Sequence, residues 1–125
     1  MEHEHYVQYE IAKNLHGNGF GWTCDHFYVK GSDIIRPVQY YPDFCKKETY
    51  QAPTLDIACD WLLETHRIHL QIEVYWCEDG MKWLCKVLHI EQYNTTLLKT
   101  ILPCDTKREA VSAGILWYLM QLGRK

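Results

Sequence analysis

Cysteine and histidine are the residue types in this chain that could carry covalent chemistry, because a thiol becomes a nucleophile when a base or a helix dipole favours its thiolate. Cys104 directly precedes the predicted last helix, whose dipole would favour a thiolate there, or it simply closes a strand. Cys85 and His89 are predicted to share a strand face, but they would lie roughly 13 Å apart, too far for a hydrogen bond. Cys24 and His26 share a face at shorter spacing, a pairing that strands often contain by chance. None of these defines a nucleophile with its base, so we predict no catalytic residue.

A metal site would need paired histidine or cysteine ligands a few residues apart. Only His3-x-His5 and His66-x-x-His69 approach that spacing; the first lies at the terminus and the second spans a predicted helix-to-strand junction. The six cysteines are dispersed and form no C-x-x-C: Cys24, Cys45, Cys59, Cys77, Cys85 and Cys104. We predict no metal and, because no glycine-rich loop lies between a strand and a helix in the way that phosphate binding requires, no cofactor.

The compartment is predicted from the start of the chain and from the thiols. Residues 1–5 are charged and polar, unlike an export signal, and no apolar run approaches the roughly 18 residues of a membrane span. The dispersed cysteines are then expected to stay reduced and to act as small apolar side chains. These features predict a cytoplasmic protein that does not bind membranes.

Length, composition and charge bound the class of protein. The chain has 125 residues, of which 47% are hydrophobic, and is expected to form a single domain over residues 1–125 around one core. Its net charge is −3, and it shows no basic stripe of the kind that duplex nucleic-acid binders use. Five Trp and nine Tyr are many for this length, and some are expected at a contact surface.

The strongest structural pattern is an amphipathic β-hairpin over residues 68–91, in which apolar and polar residues alternate. A turn centred on residues 79–80, Asp-Gly, would place Trp76 opposite Trp83 on the apolar face. That face needs a cover, and we expect the neighbouring helices to lie over it, Val74 included.

Helices are predicted on both sides of the hairpin. Thr54 is a good N-cap for a helix that runs to about Thr65, and residues 106–109 match a capping box that starts the last helix. Gly114 lies inside that last helix, where glycine costs roughly 1 kcal/mol relative to alanine, so we expect a close approach to a sheet there. With a first helix around residues 7–15 and two short strands after it, the order is α-β-β-loop-α-β-β-β-α. The predicted fold class is α+β, an antiparallel sheet with helices packed on one face.

The long irregular segment between Pro37 and Pro53 is the first candidate binding site. Loops of this length inside a compact domain are uncommon and are often functional or disordered. Four aromatic residues there indicate partial packing or a surface that contacts a partner: Tyr40, Tyr41, Phe44 and Tyr50.

The segment from Thr54 to Leu122 resembles the double-stranded-RNA-binding domain in its predicted order of helix, three strands and helix. The resemblance implies that basic residues at the start of the last helix contact the phosphates of a duplex. Lys107 and Arg108 occupy that region and Lys99 lies upstream, but the fuller basic cluster of the family is not repeated here. A nucleic-acid-binding module is therefore the alternative function.

Several short phrases of packing and capping residues are spread over most of the chain. They are Glu10-Ile11-Ala12-Lys13-Asn14-Leu15 before Gly19-Phe20, Ala52-Pro53-Thr54 before Asp60-Trp61-Leu62, Ile68-His69-Leu70, and Glu109-Ala110 with Ala113-Gly114-Ile115. In these phrases the chain is similar to small proteins of Bacteroides prophages and related gut mobile elements, a family without an assigned activity. The resemblance implies origin and fold rather than mechanism. We expect a non-enzymatic accessory protein that binds an unknown protein partner. The strand predicted after the hairpin, over residues 95–102, could form a sheet edge that pairs with a second copy in a homodimer.

Overall fold

The computed structural model describes residues 5–38 and 49–123, and the N-terminal part of the chain builds a small antiparallel sheet beside a helix. Its elements are helix α1 (Tyr9–Gly17) and strands β1 (His26–Val29), β2 (Arg36–Pro37) and β3 (Thr49–Gln51). The strands pair in the order β2-β1-β3. β3 lies in the segment that was predicted to be loop, because its pairing partner β1 is distant in the chain and three residues carry no alternation of their own.

The C-terminal part builds a larger sheet under two helices. Its elements are helix α2 (Leu55–His66), strands β4 (Ile68–Cys77), β5 (Gly80–Glu91) and β6 (Asn94–Cys104), and helix α3 (Lys107–Leu122). The strands are antiparallel in the order β4-β5-β6, and α2 and α3 pack on one face of the sheet. α1 packs against α3 and β3 and so joins the two parts. These observations confirm the predicted α+β class, with two sheets among the described residues where one was expected.

Both predicted helix caps form. The Thr54 hydroxyl accepts a hydrogen bond from the Ile57 amide at 3.2 Å, and the Thr106 hydroxyl accepts one from the Glu109 amide at 3.1 Å. The Glu109 carboxylate in turn accepts from the Asp105 amide at 3.0 Å, one residue before the amide that a capping box uses. These side chains satisfy amide groups that have no partner inside their own helix.

α3 comes close to the second sheet at Gly114, as predicted. A Cβ at this position would lie 2.5 Å from the Sγ of Cys85 and 3.2 Å from Cδ2 of Leu70. The space therefore requires glycine, although glycine lowers helix propensity. Around this contact the buried core joins all three helices to both sheets through Ile11, Leu15, Tyr28, Leu62, Ile68, Cys85, Val87, Ile115 and Leu119.

The predicted hairpin forms in β4 and β5, but its register differs from the predicted one by two residues. Trp76 pairs with Met81 rather than with Trp83, and Trp83 pairs with Val74. A shift of two residues leaves every side chain on its predicted face, since side chains alternate with a period of two. Trp76 and Trp83 therefore still lie on the same face.

The turn of the hairpin explains this shift. Its two central residues are Glu78 and Asp79, and Gly80 is the residue of the turn that adopts a positive φ, 108°. The predicted turn needed positive φ at two positions, whereas the observed one needs it only at glycine. On the outer face, Lys86 still reaches Glu73 with an Nζ–Oε2 distance of 3.2 Å.

Candidate interaction surface

The apolar face of the hairpin extends beyond the helices that pack on it. α2 has 12 residues and is about 18 Å long, whereas the 10 residues of β4 span roughly 33 Å. Along this face of β4 the exposed fraction rises from 1% at Ile68 to 51% at Val74 and 80% at Trp76. Met81, which pairs with Trp76 across the hairpin, is 48% exposed. We call Val74, Trp76 and Met81 the exposed face of the hairpin.

The expectation that helices lie over Val74 is therefore wrong. Leu55 and Lys107, the first residues of the two helices, line the same cleft as Ile72 and Trp83, so the helix layer begins at that level of the sheet. The hairpin continues past this level because its strands are longer than the helices. A period-2 pattern marks which side chains share a face, but it does not say how far along that face a cover extends.

A cleft of about 990 Å³ opens where the helix layer begins. The sheet forms its floor and the first turns of α2 and α3 form two walls. The apolar side chains that line it are Leu55, Cys59, Leu70, Ile72, Trp83 and Val111. Since Trp83 pairs with Val74, the floor of the cleft continues directly into the exposed face of the hairpin.

The N-terminal segment forms a further wall of the cleft, where His5 and Tyr6 line it. This segment is held in place by backbone hydrogen bonds. The Leu55 amide donates to the His5 carbonyl at 2.7 Å, and the Val7 amide donates to the Pro53 carbonyl at 3.0 Å. The wall is therefore fixed to the start of α2.

Among the described residues that line the cleft, two carry a positive charge and one carries a negative charge. Lys107 and Arg108, in the first turn of α3, line it, and Asp56 is the carboxylate that faces it among the described lining residues. Asp105 is engaged by Lys82, with an Nζ–Oδ1 distance of 2.7 Å, and this ion pair raises the pKa of Lys82. The two basic residues that the sequence singled out thus lie together beside an apolar floor, in a chain whose net charge is −3.

The aromatic residues predicted to form a binding surface do not form one in the described part of the chain. Tyr40, Tyr41 and Phe44 lie outside the described residues. Tyr50 is only 5% exposed, and its ring packs 5.9 Å from that of Tyr9 and 5.1 Å from that of His16. Tyr50 therefore belongs to the core, and its assignment to a contact surface is corrected. Tyr50 is buried because it lies on β3, a strand that the sequence did not predict.

The thiols near the cleft are poor nucleophiles. Burial raises the pKa of Cys59 to about 11, and Asp56 and Asp60 add to the effect. Of the two alternatives for Cys104, a thiol that closes a strand is favoured over a thiolate, because burial raises its pKa and neighbouring carboxylates raise it further. Both thiols therefore stay protonated at neutral pH, and the walls of the cleft supply no activated nucleophile among the described residues.

Within residues 5–38 and 49–123, no group of three or more histidine, cysteine or acidic side chains is placed to hold a metal ion. Within the same ranges, no helix has both the length and the apolar composition needed to cross a membrane.

Sequence reasoning missed the exposed face of the hairpin as a surface. The signal was present in the lengths of the predicted elements, because a strand of ten alternating residues is longer than a helix of twelve residues. The alternation of Val74 and Trp76 instead suggested burial, because apolar residues on one strand face are usually covered.

Comparisons of the chain with protein-family models, with curated proteins and with solved structures find no match. The resemblances to Bacteroides prophage proteins and to the double-stranded-RNA-binding domain therefore stay predictions.

Proposed function

We propose that this is a non-enzymatic interaction protein, which binds a protein partner through the cleft and the exposed face of the hairpin. The observation that carries the proposal is the continuity between the two. Trp76, Met81 and Val74 are exposed and extend an apolar floor that already lies at the bottom of a cleft. Single exposed apolar residues are ordinary, but a contiguous apolar area beside a cleft is typical of interaction sites.

Trp76 is the expected centre of the binding energy. Tryptophan is enriched among the few interface residues whose truncation costs most, and such residues are surrounded by contacts that exclude water. The charged residues Lys107 and Arg108 stand beside the apolar floor, as polar residues do at the rim of protein interfaces.

The compartment and biological setting are part of the proposal. The resemblance to prophage proteins supports an accessory protein of a phage or mobile element. Five cysteines in the described ranges are free, which supports a reducing cytoplasm: Cys24, Cys59, Cys77, Cys85 and Cys104. The raised pKa of Cys59 in the cleft favours binding over thiol catalysis.

The test is site-specific photo-crosslinking. A photoreactive phenylalanine analogue at position 76 should give a discrete adduct in an extract of the host cells. The same analogue at Tyr93, an exposed residue at the β5–β6 turn, is the matched control and should not. Unlabelled wild-type protein should compete for the adduct, whereas unlabelled Trp76→Ser should compete about ten-fold less well, as expected for a hot spot.

Two results would contradict the proposal. Equal adducts from positions 76 and 93, or equal competition by wild type and Trp76→Ser, would show that the surface is not the binding site. An adduct that nuclease removes would instead support the nucleic-acid alternative. That alternative also predicts a salt-dependent gel shift which the Lys107→Glu/Arg108→Glu variant abolishes.

A further inference from the structure

We infer that the segment of the partner that occupies the cleft is an amphipathic helix with acidic residues along its flank. This inference rests on the proposed function and specifies the occupant of the same surface. It follows from three properties of the surface: its dimensions, the hydrogen-bonding state of its floor, and its charge.

The dimensions suit one helix. The floor from Ile72 to Trp76 covers five residues of strand, whose first and last Cα atoms are about 13 Å apart, and an α-helix with its side chains is about 10–12 Å wide. α2 and α3 already pack on this face of the sheet, and their first turns border the cleft. A third helix lying across the hairpin beyond those first turns would continue the same layer and cover Val74, Trp76 and Met81.

The floor favours a helix over an extended segment. It is the face of a sheet, not its edge, so the backbone groups of β4 and β5 are engaged with each other along the paired residues from Ile72–Cys85 to Trp76–Met81. An extended peptide laid on this face would find no strand to pair with, and its own amide and carbonyl groups would lose water without gaining partners. A helix satisfies its backbone internally and needs only an apolar stripe to match the floor.

The charges select an acidic flank. Lys107 and Arg108 line the cleft, and Asp56 opposes them with a single carboxylate among the described lining residues. A glutamate or aspartate on the side of the partner helix nearest α3 would meet these cations, whereas a lysine there would be repelled. The surface is thus complementary to an amphipathic helix that is apolar on one side and acidic on the next.

A defined peptide tests the inference by fluorescence anisotropy. The probe is a fluorescein-labelled helical peptide of about five turns, with leucine at i, i+3, i+4 and i+7 and glutamate on both flanks. We expect saturable binding that Trp76→Ser weakens about ten-fold or more, because a buried tryptophan is lost. A second peptide with lysine in place of glutamate should bind about ten-fold more weakly to the wild type.

A charge-reversal variant and two controls complete the design. Lys107→Glu/Arg108→Glu should invert the preference, so that the lysine peptide becomes the better ligand. Lys13→Glu, at an exposed position of α1, changes the net charge without touching the cleft and should leave the preference as it is. A peptide of the same composition with two central prolines, which cannot form a helix, should not compete.

Each other outcome overturns the inference and says something about the proposed function. If the lysine peptide bound as well as the glutamate peptide, the partner helix would not need acidic residues, and if the proline peptide did so, the partner segment would not need to be a helix. In either case, weaker binding by Trp76→Ser would still show that the surface is a binding site. Concentration-dependent dimerisation abolished by Trp76→Ser would identify a second copy of this chain as the occupant. Absence of saturable peptide binding refutes the inference, and absence of a Trp76-dependent crosslink as well would refute the proposed function with it.

Discussion

Gly114 shows how much a single hydrogen atom in place of a side chain can matter at the residue scale. Gly114→Ala should gain about 1 kcal/mol of helix propensity and lose about 1–3 kcal/mol to overpacking, because the new methyl group would meet the fully buried Cys85 Sγ at 2.5 Å. We expect a net loss of stability, by about 1 kcal/mol. Urea unfolding followed by circular dichroism measures it.

Gly17→Ala is the matched control for this substitution. Gly17 is also helical, but apart from its chain neighbours and the backbone of its own helix no atom lies within 4 Å of the Cβ it would acquire, so alanine there should stabilise by about 0.4–1 kcal/mol. Adding Cys85→Ala to Gly114→Ala should recover part of the loss, because it removes the clashing sulfur. If Gly114→Ala stabilises the protein as much as Gly17→Ala does, the close approach of α3 to the sheet is not as described.

At the scale of elements, one face of the hairpin is buried along part of its length and exposed along the rest. Val74→Lys should change the stability by no more than about 0.5 kcal/mol, because the residue is half-exposed and the lysine can reach water. Val87→Lys, on the same face but fully buried, should prevent folding, since an unpaired buried charge costs several kcal/mol of a total of about 5–15 kcal/mol. Thermal melts of the two variants compare them directly.

The informative quantity is the difference between the thermal melts of the two variants. A Val74→Lys protein that fails to melt cooperatively would mean that a further element covers the hairpin, and the exposed face would then be part of the core. Similar melting of both variants would mean that the face of β5 is open along its whole length, which the burial of Val87 contradicts.

At the scale of the whole molecule, the buried thiol and phenol groups have raised pKa values, and the folded protein should therefore lose stability at alkaline pH. Burial raises the pKa of Cys85 to about 12 and of Cys24 and Cys59 to about 11, from 9.0 for an ordinary thiol; it also raises the pKa of Tyr28 and Tyr118. Above pH 9 the unfolded chain ionises these thiols while the folded chain keeps their protons. Stability from these groups is therefore complete below pH 9 and falls as the pH rises towards 11–12.

The measurement is the free energy of unfolding in urea at a series of alkaline pH values. Each thiol that ionises only in the unfolded chain contributes a loss of up to about 1.4 kcal/mol per pH unit. Cys85→Ala should make the fall with pH less steep, although its cavity lowers the stability at neutral pH. A flat profile above pH 9 would show that the buried thiols ionise as readily in the folded protein as in the unfolded one.

Much of the C-terminal half could be predicted because its signals are local. The caps at Thr54 and Thr106, the alternation along β4 and β5 and the cost of Gly114 each depend on residues a few positions apart. β3 could not be predicted in the same way, because three residues become a strand only when a distant β1 offers them hydrogen bonds. The burial of Tyr50 follows from that pairing and was missed with it.

The features of the candidate surface are also of two kinds, those that local sequence determines and those that tertiary structure determines. The amino-acid sequence alone determined that Lys107 and Arg108 stand at the start of a helix, and that Val74 and Trp76 share one side of a strand, because helix capping and the two-residue period act within short stretches of chain. Only the tertiary structure decided that the strands outrun the helices, which leaves Trp76 in water and opens a cleft beside the two cations. That outcome depends on where elements far apart in the chain end relative to one another in space, and no local pattern of residues encodes it.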